Sequence, residues 1–287
     1  MNSMSTIAER LARATRELSD CSDSPRLDAE LLLGKVLARN RTGLVVDDSL
    51  RLDSAGERAF AQLLAERRAG SPVAYLTGMR EFWSIELRVT PAVLVPRPET
   101  ETLVELVLEH LPAGRDSTVL DLGTGSGAIA IAIATERPLA QVTATDLSAD
   151  AIDVAIMNSK RLGLSEIIWR RGSWFDAVPG ERFDVIVANP PYIAAGDAAL
   201  ATLRAEPLLA LTPGSSGLEA FESIIGRAAD HLHERGLLAL EHGSGQGPDV
   251  AALLERHGFV DIRSRADRAG VARVAWAYVH SHPKVPS

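Results

Sequence analysis

Two apolar runs, residues 119–127 (VLDLGTGSG) and 185–193 (VIVANPPYI), each end in residues that a regular sheet cannot absorb. The first breaks into Gly123, Gly125 and Gly127 at alternate positions, ahead of the small residues Ala128, Ala130, Ala132 and Ala134. The second runs into Asn189, Pro190, Pro191 and Tyr192, and neither proline can donate to a strand ladder. Strands that stop in this way leave loops free at one edge of a sheet, where ligands bind in open α/β folds.

The surrounding rhythm agrees. Strands are expected near 118–122, 141–145, 167–171, 184–188, 236–241, 259–264 and 272–279, with helices near 127–137, 149–162, 217–234 and 248–257. Ser148 suits the cap of the second helix, and Gly163, Gly236 and Gly258 stand where left-handed C-terminal residues belong. Alternation of strand and helix predicts an α/β unit with a mostly parallel seven-stranded sheet covered on both faces. Ahead of it, residues 4 to about 70 predict a small all-helical domain. Ile7, Leu11 and Leu18 stripe its first helix. Ser24 and Pro25 open the second, with Leu27, Leu31, Leu32 and Leu37 as its buried face. A capping box of Ser54 and Glu57 opens the third, with Phe60, Leu63 and Leu64 inward and Gly70 and Pro72 as its stop. From Tyr75 the alternation Ile85, Leu87, Val89 suggests a short β-hairpin bridge. Residues 96–101 (PRPETE) then open a helix that turns Leu103, Val107 and Leu111 inward. The expected division is a helical domain at 1–74, a hairpin linker at 75–96 and the α/β domain at 97–287.

Composition narrows the function. Thirty Lys and Arg against 38 Asp and Glu give a formal charge of −8, which disfavours a protein that grips duplex DNA through many phosphates, so no sequence-specific DNA partner is expected. Cys21 is the single cysteine, and the seven histidines fall in no familiar ligand spacing, so no metal site is expected. No run reaches membrane-span length, and the amphipathic start lacks a signal peptide's core. A cytoplasmic monomer is the expectation.

The glycines allow a tight turn and close backbone approach to a ligand at a helix start. Asp146 ends the following strand, where a carboxylate can accept both hydroxyls of a ribose. Asp121 discriminates between cofactors, because an acid directly before the loop would crowd a pyrophosphate yet suits a cationic sulfonium or an amino group. DLGTGSG together with Asp146 resembles the Rossmann-like class I methyltransferases, which implies S-adenosylmethionine as cofactor. The cofactor shell expected from that likeness is Asp121, Gly123, Thr124, Gly125, Gly127, Asp146, Leu147 and Trp174, with Asn189 at its edge. Trp174 and Phe175 could flank the adenine or pack in the core.

In the second loop, the Asn189 side-chain oxygen and the proline carbonyls are acceptors on a stiff backbone. Two such acceptors can take both hydrogens of an NH2 group whose lone pair is delocalised, as in an amide or adenine N6. Tyr192 can lie over the planar group and exclude water, so Asn189, Pro190 and Tyr192 are the expected catalytic set, with Pro191 beside them in the substrate site. The loop alone leaves both amine carriers open.

The wider pattern is more specific. PVAYLTG at 72–78, EFW at 81–83, VPRPETE at 95–101, the two loops, ATDLS at 144–148, EP at 206–207, GLEAF at 217–221 and DRAGVARV at 267–274 resemble the release factor glutamine N5-methyltransferases over nearly the whole chain. The resemblance implies methyl transfer to the glutamine of the Gly-Gly-Gln loop of peptide-chain release factors, gripped by Asn189 and the Pro190 carbonyl, with the helical leader helping to engage the partner. The alternative is an N6-adenine nucleic-acid methyltransferase, against which the acidic balance and the helical leader both count. Residues 211–218 depart from the pattern, Ser216 standing where an acid is expected before Gly217 and Leu218. Arg97, Glu99 and Glu101 could contact the partner, gate the site or form packing salt bridges.

Overall fold

Thr6 opens the first helix, α1 (Ile7–Glu17), by a reciprocal capping box: Glu9 N–H donates to Thr6 Oγ1 at 3.2 Å and Thr6 N–H to the Glu9 carboxylate at 2.9 Å. The structure is a computed structural model and describes residues 5–280. Helix α2 (Pro25–Leu37) starts on its proline, but Ser24 makes no capping bond. Its buried stripe is Ala29, Leu32 and Leu33, while Leu27 and Leu31 are each 38% exposed, against expectation. Two buried acids set that rotation. Asp28 takes Arg67 at 2.8 Å, and Glu30 takes Arg26 and Arg41 at 2.6 and 2.7 Å. Asn40 caps α3 (Arg41–Val46). Asp53, not Ser54, caps α4 (Ser54–Arg68) by accepting Gly56 N–H at 2.7 Å, and because the third helical position is then Gly56, no reciprocal box with Glu57 forms. Phe60 and Leu64 face inward, with Leu63 half-buried.

Pro72 leads into one further turn, α5 (Val73–Thr77), closed by Gly78 at φ 81°. The hairpin therefore begins at Met79 and not at Tyr75, as β1 (Met79–Phe82) and β2 (Ile85–Arg88). Trp83 and Ser84 join the strands at φ 54° and 56°, the left-handed pair that matches strand twist. The chain divides into two compact units between Met79 and Arg80.

In the second unit a 3-10 turn, Pro98–Thr100, precedes α6 (Glu101–His110). Then follow β3 (Ser117–Leu122), α7 (Ala128–Glu136), β4 (Ala140–Asp146), α8 (Ala149–Arg161), β5 (Ile168–Arg171), β6 (Phe183–Ala188), the short α9 (Ala199–Thr202), α10 (Glu219–Ala228), β7 (Leu232–Glu241), α11 (Gly247–Arg256), β8 (Phe259–Ala266) and β9 (Ala272–Val279). The sheet runs β5-β4-β3-β6-β7-β9-β8, with β9 antiparallel to both neighbours and the pairs from β5 to β7 parallel. It is the expected Rossmann-like, mostly parallel seven-stranded sheet.

Strand alternation divides the core between its faces. Val119, Val185 and Val187 point to one cluster with α6 and α7, whereas Leu120, Leu122, Ile186 and Ala188 point to another with α10 and α11. The helix expected to reach residue 234 ends at Ala228, and β7 starts at Leu232. His231 stacks on Phe175 at 4.5 Å and bonds the Glu181 carbonyl, while Leu232 pairs with Phe183, so the sheet claims the chain early. Gly236 consequently lies inside β7, although Gly163 and Gly258 adopt φ 73° and 77° after their helices as expected.

Gly127 starts α7 at φ 82°, and a Cβ there would sit 3.0 Å from the Trp169 ring and 3.1 Å from Ala155 and Ile131. Gly127→Ala is therefore expected to cost about 2 kcal/mol, from left-handed strain plus crowding. Calorimetry should record a melting temperature lower by about 4–8 °C, and an unchanged value would remove the steric argument.

Candidate active site

Parallel pairing of Leu122 with Ala188 brings the last residues of β3 and β6 side by side, so Gly123 and Asn189 leave the sheet at the same edge. The glycine loop is pinned across that edge by Thr145, whose carbonyl accepts both Gly123 and Thr124 N–H at 2.9 Å. Asp121 lies beneath the loop, fully buried. Its Oδ2 accepts the Thr124 hydroxyl at 2.6 Å and Ala130 N–H at 3.2 Å, while Oδ1 has no protein partner among the described residues. Burial pushes its carboxyl up to about 7 against the pull of those two donors, and the charge of Asp146 pushes the same way. Asp146 accepts Gly125 N–H at 2.9 Å through one oxygen and Ser148 N–H at 2.8 Å through the other. Burial also raises its carboxyl, and both amides oppose the rise.

A cavity of about 360 Å³ opens over this edge. Of the residues expected from sequence, Gly123, Thr124, Gly125, Asp146, Leu147, Trp174, Asn189 and Pro191 line it. Asp121 and Gly127 support the loop from below, outside the lining. Trp174 adopts φ 47°, and a Cβ on Gly123 would meet its ring at 3.3 Å, so the glycine leaves the indole room against the loop. Phe175 does not flank the cavity. The 3-10 turn Trp174–Ala177 sends it into the core, onto His231. Pro190 is buried and Tyr192 packs against the α10 and α11 side of the core, so neither side chain lines the cavity, and any part Pro190 plays there falls to its backbone carbonyl between the lining residues Asn189 and Pro191. Burial pushes the Tyr192 phenol up to about 12, which leaves it protonated near neutrality.

Four residues whose roles the sequence did not reveal complete the site: Thr100, Glu241, Gln246 and Glu206. Asn189 Nδ2 donates to Thr100 Oγ1 at 3.1 Å, and behind both lies Glu241, 1% exposed at the end of β7. Burial raises the Glu241 carboxyl to about 7, opposed by bonds from Thr100 and Asn189 and by the charge of Arg273. Gln246 holds the Tyr192 carbonyl at 3.0 Å while accepting Gly243 N–H. Glu206 ties two cavity walls together, taking Arg97 at 2.5 Å and Val95 N–H at 3.0 Å. Arg97 is thus a salt-bridging residue that also lines the cavity. Glu101 accepts Trp83 N–H at 3.0 Å, and Glu99 contributes charge near Tyr192 and Glu241. In the 211–218 loop, Ser216 N–H donates to Glu219 at 2.8 Å and its hydroxyl accepts Leu218 N–H at 3.1 Å, which makes Ser216 part of the turn into α10.

The one signal that could have exposed Glu241 is LLALEHG, an apolar strand ending on an acid, the same pattern as VLDLG. Among the described residues no His, Cys, Asp and Glu cluster gathers for a metal ion, and no helix is long and apolar enough to cross a membrane.

Comparison with known proteins gives a consistent result. A family model described as methyltransferase small domain matches residues 99–210, and one described as PrmC N-terminal domain matches residues 9–78. The release factor glutamine methyltransferase of Coxiella burnetii is 42% identical over 271 residues, covering 94% of this chain and 98% of that protein. Its counterpart from Xylella fastidiosa is 46% identical over 266 residues, covering 92% and 94%. A solved methyltransferase from Pyrococcus furiosus, 19% identical, shares the fold at a TM-score of 0.54 over 77% of this chain and 99% of that one.

The raised Asp121 carboxyl generates a pH test. A carboxyl above its unfolded value binds its proton more tightly in the fold, so its contribution is complete below about pH 4 and is lost as pH rises through about 7. Asp121→Asn removes that loss. Without cofactor, the melting temperature of the variant relative to wild type should therefore be higher at pH 8 than at pH 5, at up to about 1.4 kcal/mol per pH unit over the window. A difference independent of pH between 5 and 8 would show that Asp121 does not titrate in this window.

Proposed function

The chain belongs to the release factor glutamine methyltransferase family, and on that premise we propose that Asn189 and the Pro190 carbonyl hold a glutamine side-chain amide against the glycine loop for methylation. The enzyme transfers a methyl group from S-adenosylmethionine to the glutamine side chain of release factors. The observation that carries the site assignment is the shared edge of β3 and β6, which places Asn189 and the loop on one cavity.

The cofactor fits the residues present. The unpartnered Asp121 Oδ1 is a buried acceptor beneath the loop, suited to a cationic group directly or through water. The glycine at 123 keeps the floor open beside Trp174, and Asp146 retains lone pairs toward the cavity. We assign its binding to Asp121, Gly123, Asp146 and Trp174 with Thr124, Gly125 and Leu147. S-adenosylmethionine supplies an electrophilic methyl group when bound.

The chain's own residues supply orientation. An amide nitrogen is a poor nucleophile, and holding both its hydrogens fixes the plane of the group and the direction of its approach. Asn189 Oδ1 and the Pro190 carbonyl are the two acceptors, and their dipoles favour the positive charge that grows on nitrogen as the new bond forms. Tyr192 stays protonated and serves no base role; Gln246 anchors its backbone, so we assign it to holding the loop. The acceptor nitrogen is that of the Gly-Gly-Gln glutamine, the helical unit engages the release factor, and the enzyme works in the cytoplasm where translation terminates.

The test is peptide mass spectrometry after incubation with S-adenosylmethionine and unmodified release factor, with an adenine-containing RNA in parallel. One methyl on the Gly-Gly-Gln glutamine is expected, and methyl on adenine alone would overturn the assignment. Asn189→Ala should lower kcat by about 10²-fold or more, the scale of a lost transition-state hydrogen-bonding group. Calorimetric affinity for S-adenosylmethionine should stay within about threefold, because Asn189 is assigned to transition-state orientation and not to ground-state binding. Equal loss of affinity and rate would place Asn189 in the cofactor site instead.

A further inference from the structure

We propose that Glu241, acting with Thr100, is the positioning residue that sets the direction of the Asn189 amide, keeping Oδ1 toward the substrate and Nδ2 toward the core. The inference deepens the assignment of Asn189 as the amide-gripping group and rests on it. An asparagine amide has nearly the same shape either way round, so its neighbours' donors and acceptors alone decide which end faces a ligand. For a substrate NH2 group the choice is all or nothing. An inward oxygen would present donors to donors.

The observed partners set one orientation while Glu241 is ionised. Nδ2 carries two hydrogens, and the two groups beneath it are the Thr100 oxygen at 3.1 Å and the Glu241 carboxylate. Thr100 Oγ1 accepts Asn189 Nδ2 at 3.1 Å, which leaves the one hydroxyl hydrogen free for Glu241, and the pairing of Ala188 with Leu240 sets Glu241 beside Asn189 at the same sheet edge. While ionised, the carboxylate has no hydrogen to give and the relay runs only toward it; protonated, with its carboxyl raised to about 7 by burial, it could donate to Thr100 instead. The charged and titratable groups around Glu241 come from three elements. Glu99 precedes Thr100 on the 3-10 turn, Tyr192 lies on the substrate loop, and Arg273 lies on β9. Arg273 favours the ionised form; Glu99 and burial oppose it.

The cost of the arrangement argues against a packing role. Glu241 is 1% exposed, and among the described residues no ion pair reaches it and its Oε2 has no hydrogen-bond partner. A buried acid left partly unsatisfied is destabilising, and such groups concentrate at functional sites. Glu241→Gln keeps the shape but introduces an N–H donor. That donor can reverse the Thr100 hydroxyl, which then donates to the Asn189 oxygen and turns the amide round.

The experiment measures kcat and KM on unmodified release factor, calorimetric affinity for S-adenosylmethionine, and melting temperature. The variants are Glu241→Gln, Thr100→Val and Thr100→Ser, with Glu241→Gln also made in the Asn189→Ala background. Glu241→Gln and Thr100→Val should each lower kcat by about tenfold or more, with KM and cofactor affinity within about threefold, and Thr100→Ser should restore most of the rate. Because Glu241 acts through Asn189, the double variant should be no slower than Asn189→Ala alone. Wild-type kcat in Glu241→Gln, or the same fractional loss in both backgrounds, would overturn the proposal. Should Glu241→Gln melt too early to assay, Thr100→Val interrupts the same relay, and full activity there has the same meaning. Full activity in Asn189→Ala would instead overturn the amide-grip assignment itself, a result separable from the failure of the relay.

Discussion

The parallel register of β3 against β6 is the constraint on which the site depends. Leu122 pairs with Ala188, so the next residues, Gly123 and Asn189, emerge together at the carboxyl edge. Parallel strands place like ends at one edge, and only loops that abandon the ladder can use that edge. Glycines achieve this on one strand through positive φ, and prolines on the other through the missing N–H. Because side chains alternate along each strand, a one-residue slip would exchange the two core faces and move Asn189 away from the loop. The apolar pattern that builds the core therefore also fixes the active geometry. Packing and chemistry share one register.

The same edge gathers acids that are expensive to bury. Asp121 and Glu241 lie at the carboxyl ends of β3 and β7, the strands flanking β6, and burial raises both carboxyls to about 7. Their local donors differ. Asp121 is held by a hydroxyl and a helix N–H, with one oxygen still unpartnered, whereas Glu241 lies behind Thr100 and Asn189 and also has one oxygen unpartnered. Neither stabilises the fold as an ion pair would. Each instead fixes a neighbour, Asp121 the glycine loop and Glu241 the substrate loop, and stability elsewhere in the sheet offsets the desolvation.

What the sequence disclosed follows from how local each cause is. The glycine loop, Asp146 and Asn189 stand out because motif and strand end coincide within a few residues, and the seven strands follow from their apolar runs. Thr100 was opaque: it bonds Asn189 across 89 positions, and nothing local distinguishes it within PRPETE. Phe175 was ambiguous beside Trp174, since the backbone turn that separates the two is decided by tertiary contact with His231. Gly236 misled for a similar reason, because the pairing of Leu232 with Phe183 outweighs a local preference for helix termination. The face of α2 was set by Asp28 and Glu30, acids that a hydrophobic stripe would assign to solvent.

The cavity's chemistry explains both what it selects and what it leaves to other surfaces. Two planar acceptors suit an NH2 group lying in their plane; an ammonium has no lone pair to offer, and a hydroxyl has only one hydrogen. Under the proposed assignment, selection of a planar amine rests on Asn189 and the proline carbonyl, as long as the asparagine oxygen faces outward. That condition is a matter of polarity, not shape, and a buried acceptor behind the amide enforces it without narrowing the cavity. The identity of the molecule that carries the amine must then come from contacts beyond the NH2 group, a role we assign to the helical unit. Placing polarity control in Glu241 and Thr100 keeps those two tasks separate, so the gripping atoms need not change when the partner surface does.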